Sequence, residues 1–330
     1  MFIHSLKCSF FTAVILLCVS CGKSKDEEVV DALRSANILL SSKKCQEAID
    51  LLEGIGRQNR NAKYLKGLAS AYGCRANYST ITFFGSDIKK TANPGPLGGM
   101  TTYTTSQVTP SGDLSDDQSF KDLQTAIDIL LYAGGIAATT DPYARERAKY
   151  FSLNEAGDIN SELAFMLMVQ AGKFMKVYGN ASAGGVKGAG TTTTNKCFTD
   201  YSHVTNVIIE AGISALPGSC KMKNSSHPEL DSTLVSSDER KKRLCEGVVL
   251  MNSIVDILPV VLATAAGGDI EDISSVTGEI AKGRKLLSDN VPEIAPLLNT
   301  LSQKNCVDNA DIDEEMLETY YVGVYETIFQ

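Results

Sequence analysis

The sequence lacks the residue combinations that most hydrolytic and redox active sites require. Only three histidines occur, His4, His203 and His227. Asp200 precedes His203 by three residues, a spacing that would orient an imidazole on a helix, but no nucleophile partner can be named for it. None of the six cysteines that follow Cys21 forms a C-x-x-C pair, so thioredoxin-like redox chemistry and zinc ribbons are not supported.

An excess of positive charge is also absent. The chain has 31 Lys and Arg residues against 39 Asp and Glu residues, which gives a formal net charge of −8. Because a nucleic acid would be repelled by such a surface overall, the sequence predicts no nucleic-acid partner.

Three further patterns fall short of the ligand sites that they suggest. The Gly/Thr tract over residues 184–194 lacks the G-K-[ST] ending of a phosphate loop. The acids of residues 308–315 have Asp313 where an EF-hand needs its glycine, and we predict that they cap the helix that follows. The methionines between residues 166 and 175 are predicted core residues. The sequence therefore predicts no metal and no cofactor.

The first apolar segment is too short to cross a membrane. Residues 8–20 are thirteen positions without a charge, whereas a transmembrane helix needs about 20 apolar residues. Lys7 precedes the segment and small residues end it, which indicates a secretory signal peptide. The letters VSCG at residues 19–22 resemble the lipobox of bacterial lipoproteins, although Cys18 stands where that family usually has leucine.

The lipobox resemblance implies that residues 1–20 are a signal peptide and that residues 21–28 form a lipidated tether. It also implies that Cys21 carries acyl chains such as palmitate, and several chains together anchor a protein stably. Gly22 in place of Asp implies transfer to the outer membrane of a bacterial cell envelope, with the protein facing the periplasm. A plain secretory signal or an uncleaved anchor is the alternative.

Apolar residues recur at helical spacing, and no segment shows the alternation and hairpin turns of strands, which predicts an all-α fold. Residues 29–330 are interpreted as a single α-helical domain. Its first three helices lie between residues 29 and 76, and short turns make them pack antiparallel. Further helices are predicted at residues 120–138, 158–178, 199–216, 238–266, 270–288, 292–303 and 311–329. Long loops are predicted at residues 86–118, 179–197 and 217–236.

The letters CQEAIDLLEGI (45–55) followed by YLKGLASAY (64–72) resemble the tetratricopeptide repeat. Ala36 and Ala48 lie where that repeat has small residues, but Cys45 replaces the usual aromatic residue and no further copy is found. The resemblance covers residues 29–80 and implies a helical-hairpin array with long loop insertions. Bacterial lipoproteins of this kind include the periplasmic T-component associated with some TRAP transporters.

An even number of cysteines in an exported chain predicts three disulfides. The six are Cys45, Cys74, Cys197, Cys220, Cys245 and Cys306. Antiparallel packing of the second and third helices would bring Cys45 and Cys74 to the same level, so we predict this pair. A helix over residues 199–216 would hold Cys197 away from Cys220, which favours the pairs Cys220–Cys245 and Cys197–Cys306.

A second apolar stretch occupies residues 247–266. Asn252, Asp256 and Pro259 interrupt it, and an exposed Asp at mid-bilayer costs about 2.5–3.5 kcal/mol. We therefore predict a central helix covered by the others, with a bend near Pro259.

Helical repeats usually bind other molecules, so the sequence favours a binding or scaffold protein that is not an enzyme. Its further partner is a protein or a small molecule that the sequence does not identify. The alternative is a periplasmic hydrolase with catalytic groups in the loops at residues 86–118 and 179–197.

The lipobox interpretation predicts the behaviour of one substitution. Cys21→Ser should release the protein from membranes or leave it unprocessed, because the lipid of lipobox proteins is attached to the cysteine sulfur. Membrane fractionation and electrophoretic migration measure both effects. A variant that fractionates and migrates like the wild type would show that the anchor is wrongly assigned.

Overall fold

The structure is a computed structural model that describes residues 24–91, 95–108, 114–188, 197–204, 225–264 and 271–329. Every regular element in these ranges is helical and none is a strand, which confirms the predicted all-α class. The predicted signal peptide, Cys21 and Cys220 lie outside the described residues.

Three helices begin the described chain, close to where the periodicity predicts them. Helix α1 spans Lys25–Ser41, α2 spans Cys45–Gly54 and α3 spans Ala62–Arg75. Ser24 begins α1 with a capping box, and the Asn61 side chain caps α3 by accepting a hydrogen bond from a backbone N–H. The three helices contact one another.

The predicted disulfide between Cys45 and Cys74 is present and joins α2 to α3. The two Cα atoms are 5.6 Å apart. Ala36 and Ala48, the small residues of the repeat-like pattern, are both buried where these helices approach.

A helix outside the repeat-like region packs against α3. After the short helix α4, Pro96–Thr101, helix α5 spans Gln118–Leu131 and lies against α3. The Arg75 guanidinium donates two hydrogen bonds of 2.7 and 2.6 Å to the buried carboxylate of Asp122 on α5. A bidentate contact of this kind fixes both distance and orientation, so it sets how α5 lies against α3.

Two long helices form the centre of the molecule. After the short helix α6, Ala144–Arg147, helix α7 spans Leu153–Tyr178, and helix α8 spans Ser237–Thr264 and continues through Pro259. They pack along each other, and α7 also contacts α3, α4 and α5. The methionines of α7 are fully buried, which confirms their predicted core role: Met166, Met168 and Met175.

The C-terminal helices surround α8. They are α9, Glu271–Asn290; α10, Ala295–Leu298; α11, Gln303–Asp308; and α12, Glu314–Tyr320, which a π-helical turn at Tyr321–Glu326 extends. The Asp313 side chain accepts a hydrogen bond of 2.9 Å from the N–H of Met316. The predicted capping role of this acidic segment is therefore confirmed.

The predicted loop at residues 86–118 is wrong over most of its length. Short helical segments replace it, and Leu97, Met100 and Tyr103 are fully buried. The buried Asp87 carboxylate accepts hydrogen bonds from the N–H groups of Thr104 and Thr105. The prediction rested on the glycine and proline residues of this stretch. Its few apolar residues nevertheless pack it against α7.

Several helix limits also differ from the prediction: α7 begins at Leu153 rather than near residue 158, and the helix predicted at residues 292–303 ends at Leu298. Helix α5 ends at Leu131 rather than near residue 138, because Gly134 and Gly135 have φ values of +90° and +82° that end the helical path. Residues 199–204, predicted as the start of a helix, are not helical.

Two predicted disulfides are corrected. Cys245 of α8 pairs with Cys306 of α11, with Cα atoms 5.7 Å apart, so neither Cys220–Cys245 nor Cys197–Cys306 can form. Cys197 is disulfide-bonded as well. The two predicted pairs were chosen on the assumption of a rigid helix from residue 199, and residues 199–204 are not helical.

The two disulfides between described residues allow a stability comparison. Replacing both Cys45 and Cys74 by Ala should lower the free energy of unfolding by about 3–4 kcal/mol, because the reduced unfolded chain gains loop entropy. The Cys245→Ala, Cys306→Ala double variant should lose about 0.7 kcal/mol more, because its loop of 61 residues is longer than the other loop of 29.

Urea unfolding of both double variants measures these losses. Peptide mapping of unreduced wild type supplies the control, since it must recover both cross-linked peptide pairs. Equal stability of either variant and the wild type would contradict the disulfide assignment.

Candidate functional site

A cleft of about 540 Å³ lies between α5, α8 and α11. Its volume falls within the roughly 300–1,000 Å³ of small-molecule sites. Its buried apolar lining includes Ile127, Leu131, Leu167 and Leu250. We refer to this cavity as the cleft.

One face of α8 supplies the longest wall of the cleft. Its lining residues recur at spacings of three and four, as one face of a helix requires: Glu239, Lys242, Arg243, Glu246, Val249, Leu250 and Ser253. The charged members come first and the apolar ones follow. The cleft wall is therefore polar towards the start of α8 and apolar further along it, a pattern suited to an amphipathic molecule.

The Ser253 side chain lies at the apolar end of this stripe. The residue lines the cleft and is 3% exposed, and its Oγ has no hydrogen-bond partner among the described residues. A buried hydroxyl without a partner costs about 1–3 kcal/mol, and most buried polar groups avoid this state. Ser253 is therefore a polar anchor that a bound molecule could complete.

Asp128 of α5 is the second polar group of interest in the cleft. Its carboxylate accepts a 2.9 Å hydrogen bond from the Gln124 side chain, and no described residue forms an ion pair with it. Asp128 is exposed to solvent, yet desolvation by the protein beside it raises the pKa of its carboxyl from 3.8 to about 6.

Neighbouring charges of the cleft are paired, unlike that of Asp128. Lys242 contacts Glu239 at 2.6 Å, and Lys304 contacts Asp308. Arg243 contacts Glu229 at 2.6 Å. These cations are therefore occupied by carboxylates of the protein itself.

A separate charge cluster surrounds the fully buried Arg240 on another face of α8. The guanidinium contacts Asp200 at 2.8 Å and Glu318 at 2.5 Å, and it also contacts Glu314. It donates further hydrogen bonds to the carbonyl of Leu230 and to a threonine hydroxyl. The cluster ties the segment before residue 204 to α12, because one cation satisfies carboxylates from both.

His203 lies at the edge of the Arg240 cluster. Its Nδ1 is 3.0 Å from Glu318 and 3.7 Å from Glu314, and the ligand atoms of these three residues lie within 4.8 Å of one another. That spacing could hold a metal ion, but Arg240 already contacts both carboxylates and would compete with any cation there. The arrangement is better explained as a structural ion-pair network.

The same atoms do not form a hydrolase triad. The hydroxyl of Ser202 is 3.1 Å from Nδ1 of His203, the nitrogen that also faces Glu318. A triad needs the acid on one imidazole nitrogen and the nucleophile on the other. Asp200, predicted to orient His203, contacts Arg240 instead, because residues 199–204 are not helical.

The described part of the predicted loop at residues 179–197 also has a structural role. Buried Lys187 pairs with buried Glu326, which accepts further hydrogen bonds of 2.7 Å from the N–H of Phe198 and the hydroxyl of Tyr201. These contacts fix the loop to the end of the chain.

Sequence reasoning missed the cleft. The spacing of Glu239, Lys242, Glu246 and Ser253 along one helix face was readable, but it equally fits an exposed surface. Only the packing of α5 and α11 against that face turns it into a cavity.

The segment Ser237–Ala263 is long and apolar enough to cross a membrane, but 72% of its apolar stretch is buried inside the fold. This burial supports the predicted central core helix. In comparisons with protein-family models, curated proteins and solved structures, nothing matches the chain.

The contact between His203 and Glu318 predicts a pH-dependent stability. The hydrogen bond to Glu318 raises the pKa of His203 above its ordinary value of 6.5. The stabilisation is therefore fully present below about pH 6.5 and is lost as the pH rises through the raised folded-state pKa. His203→Gln should lower the free energy of unfolding by about 0.2–1 kcal/mol at pH 5.5, the range of exposed ion pairs.

Denaturant unfolding of the wild type and His203→Gln at pH 5.5 and pH 8.5 measures this difference. We expect the gap between the two proteins to shrink at the higher pH. A gap that is constant or grows with pH would contradict the ion pair.

Proposed function

We propose that this protein is a lipid-anchored binding protein of the bacterial outer membrane that faces the periplasm and takes a small amphipathic molecule into the cleft. The observation that carries the proposal is Ser253, a buried residue of the cleft lining whose hydroxyl has no hydrogen-bond partner in the described part of the chain. A ligand that bonds to it would remove an existing cost and would bury its own apolar part against the lining.

The location rests on the lipobox resemblance at Cys21 and gains support from the disulfides. Cys45–Cys74 and Cys245–Cys306 suit an oxidising compartment such as the periplasm. In this proposal the acyl chains hold the helical domain at the membrane and leave the cleft open to periplasmic solutes.

The alternative of a periplasmic hydrolase has less support. In the described parts of the two loops named for it, Asp87 and Lys187 hold the fold together through buried contacts. Ser202 and His203, which lie within hydrogen-bond distance of each other, have the wrong mutual geometry for nucleophilic catalysis.

The proposed function predicts that Ser253→Ala weakens ligand binding without weakening the fold. With n-octanol as the probe, the dissociation constant should rise about 2- to 10-fold, the value of one neutral hydrogen bond. The free energy of unfolding should stay the same or rise, because the substitution removes an unpartnered polar atom.

An NMR titration measures binding, and a thermal melt measures the fold. Ser288→Ala is the matched control, since Ser288 is an exposed serine on α9 outside the cleft. Failure of the wild type to bind n-octanol, or equal binding by wild type and Ser253→Ala, would contradict the proposal.

A further inference from the structure

Asp128 lies where two cavities meet. One is the cleft, and the other is a cavity of about 430 Å³ that Asp128 lines together with Arg57, Tyr132 and Ile136. Its carboxylate is therefore accessible from two sides. The neighbouring lining residues Ile127 and Leu131, on the same helix, are apolar and buried.

The protein gives this carboxylate little compensation. Among the described residues, Gln124 alone donates a side-chain hydrogen bond to Asp128. The carbonyl oxygen of the same Gln124 amide accepts from Gln170, which fixes the amide orientation. Arg57 shares the second cavity but forms no ion pair with Asp128.

The cations of the cleft are occupied elsewhere. Lys242, Arg243 and Lys304 line it, and each already contacts a carboxylate other than Asp128. A ligand anion would have to share one of these pairs. A ligand cation would meet a carboxylate that has only a neutral partner.

From this arrangement, and on the basis of the proposed function, we infer that the cleft selects an amphipathic primary amine, with the ammonium group on Asp128 and the apolar tail against the aliphatic lining. An ammonium group is a compact charge with three donors, so it can bond to Asp128 and still donate to another oxygen.

The charge state of Asp128 is consistent with this assignment. Burial without a cation raises its pKa, which means that the folded protein itself disfavours the carboxylate. A bound ammonium would reverse that preference, since an opposite charge within about 4–6 Å favours the ionised form.

The test compares three probes of one chain length, n-octylamine, n-octanol and n-octanoate, on the full chain at pH 7.5. We expect n-octylamine to bind roughly tenfold more tightly than n-octanol, the range of a hydrogen bond to a charged group. n-Octanoate should bind most weakly. This ranking needs no variant, so it tests the inference even if a substitution disturbs the fold.

Two isosteric substitutions localise the effect. Asp128→Asn keeps a side chain that can accept from Gln124 and should remove the roughly tenfold preference for n-octylamine over n-octanol. Asp308→Asn removes the same charge from the same cleft, at a carboxylate that Lys304 already pairs. It should leave the amine preference within about twofold of the wild type.

The outcomes separate the inference from the proposed function. Equal binding of all three probes, or tighter binding of n-octanoate, overturns the amine assignment and leaves the binding cleft standing. An equal loss in both variants also overturns it, because the effect would then be the general field of the cleft. Failure of every probe to bind overturns both.

Discussion

The packing of α8 against α7 is the contact on which the rest of the molecule depends. Gly247 of α8 allows the close approach, since a side chain there would collide with Phe174 of α7 and with Tyr321. The hydroxyls of Tyr321 and Tyr325 donate to backbone carbonyls of α8 at 3.1 and 2.8 Å. The small residue Gly247 lets α8 lie close to its neighbours, and the two tyrosine hydrogen bonds hold it there.

With α8 fixed, its remaining faces acquire separate roles. One face carries Arg240 into a cluster of three carboxylates, and another carries Ser253 along the cleft. The Arg240 cluster and the cleft differ in how many partners the fold gives to their charged groups. Arg240 contacts three carboxylates within the chain, whereas the one described side chain that bonds to the Asp128 carboxylate is the Gln124 amide. The contacts of buried Arg240 are explained by a structural role. The accessible carboxylate of Asp128 can still bind a group from outside the protein.

The sequence predicted the fold where local signals and packing agree. The helices α1, α2 and α3 follow from regular apolar spacing and short turns, and the Cys45–Cys74 pair follows from their antiparallel order. Residues 95–108 show no such spacing, because burial there depends on docking against α7 rather than on periodicity. The sequence could not predict the partner of Cys245 either, because that partner depends on where α11 packs against α8.

The candidate site was beyond sequence reasoning for a related reason. Asp128 looks like an ordinary polar residue of an amphipathic helix, and Ser253 looks like an ordinary serine in an apolar one. Their significance depends on how few hydrogen-bond and charged partners surround them, and that is known only once the chain is folded. The sequence pointed first to His203 and Asp200 as a possible site. In the structure Arg240 contacts Asp200 and Glu318, so these groups form an ion-pair network.

The disulfide between α8 and α11 has a consequence for the cleft itself. Cys245 and Cys306 each directly precede a lining residue, Glu246 and Val307. The covalent bond therefore sets the spacing of two walls before any ligand arrives. In an oxidising compartment the chain would form this bond and shape its cavity before a ligand arrives, so binding would require less ordering of the walls. A chain held in a reducing compartment would have the same residues but a looser cavity.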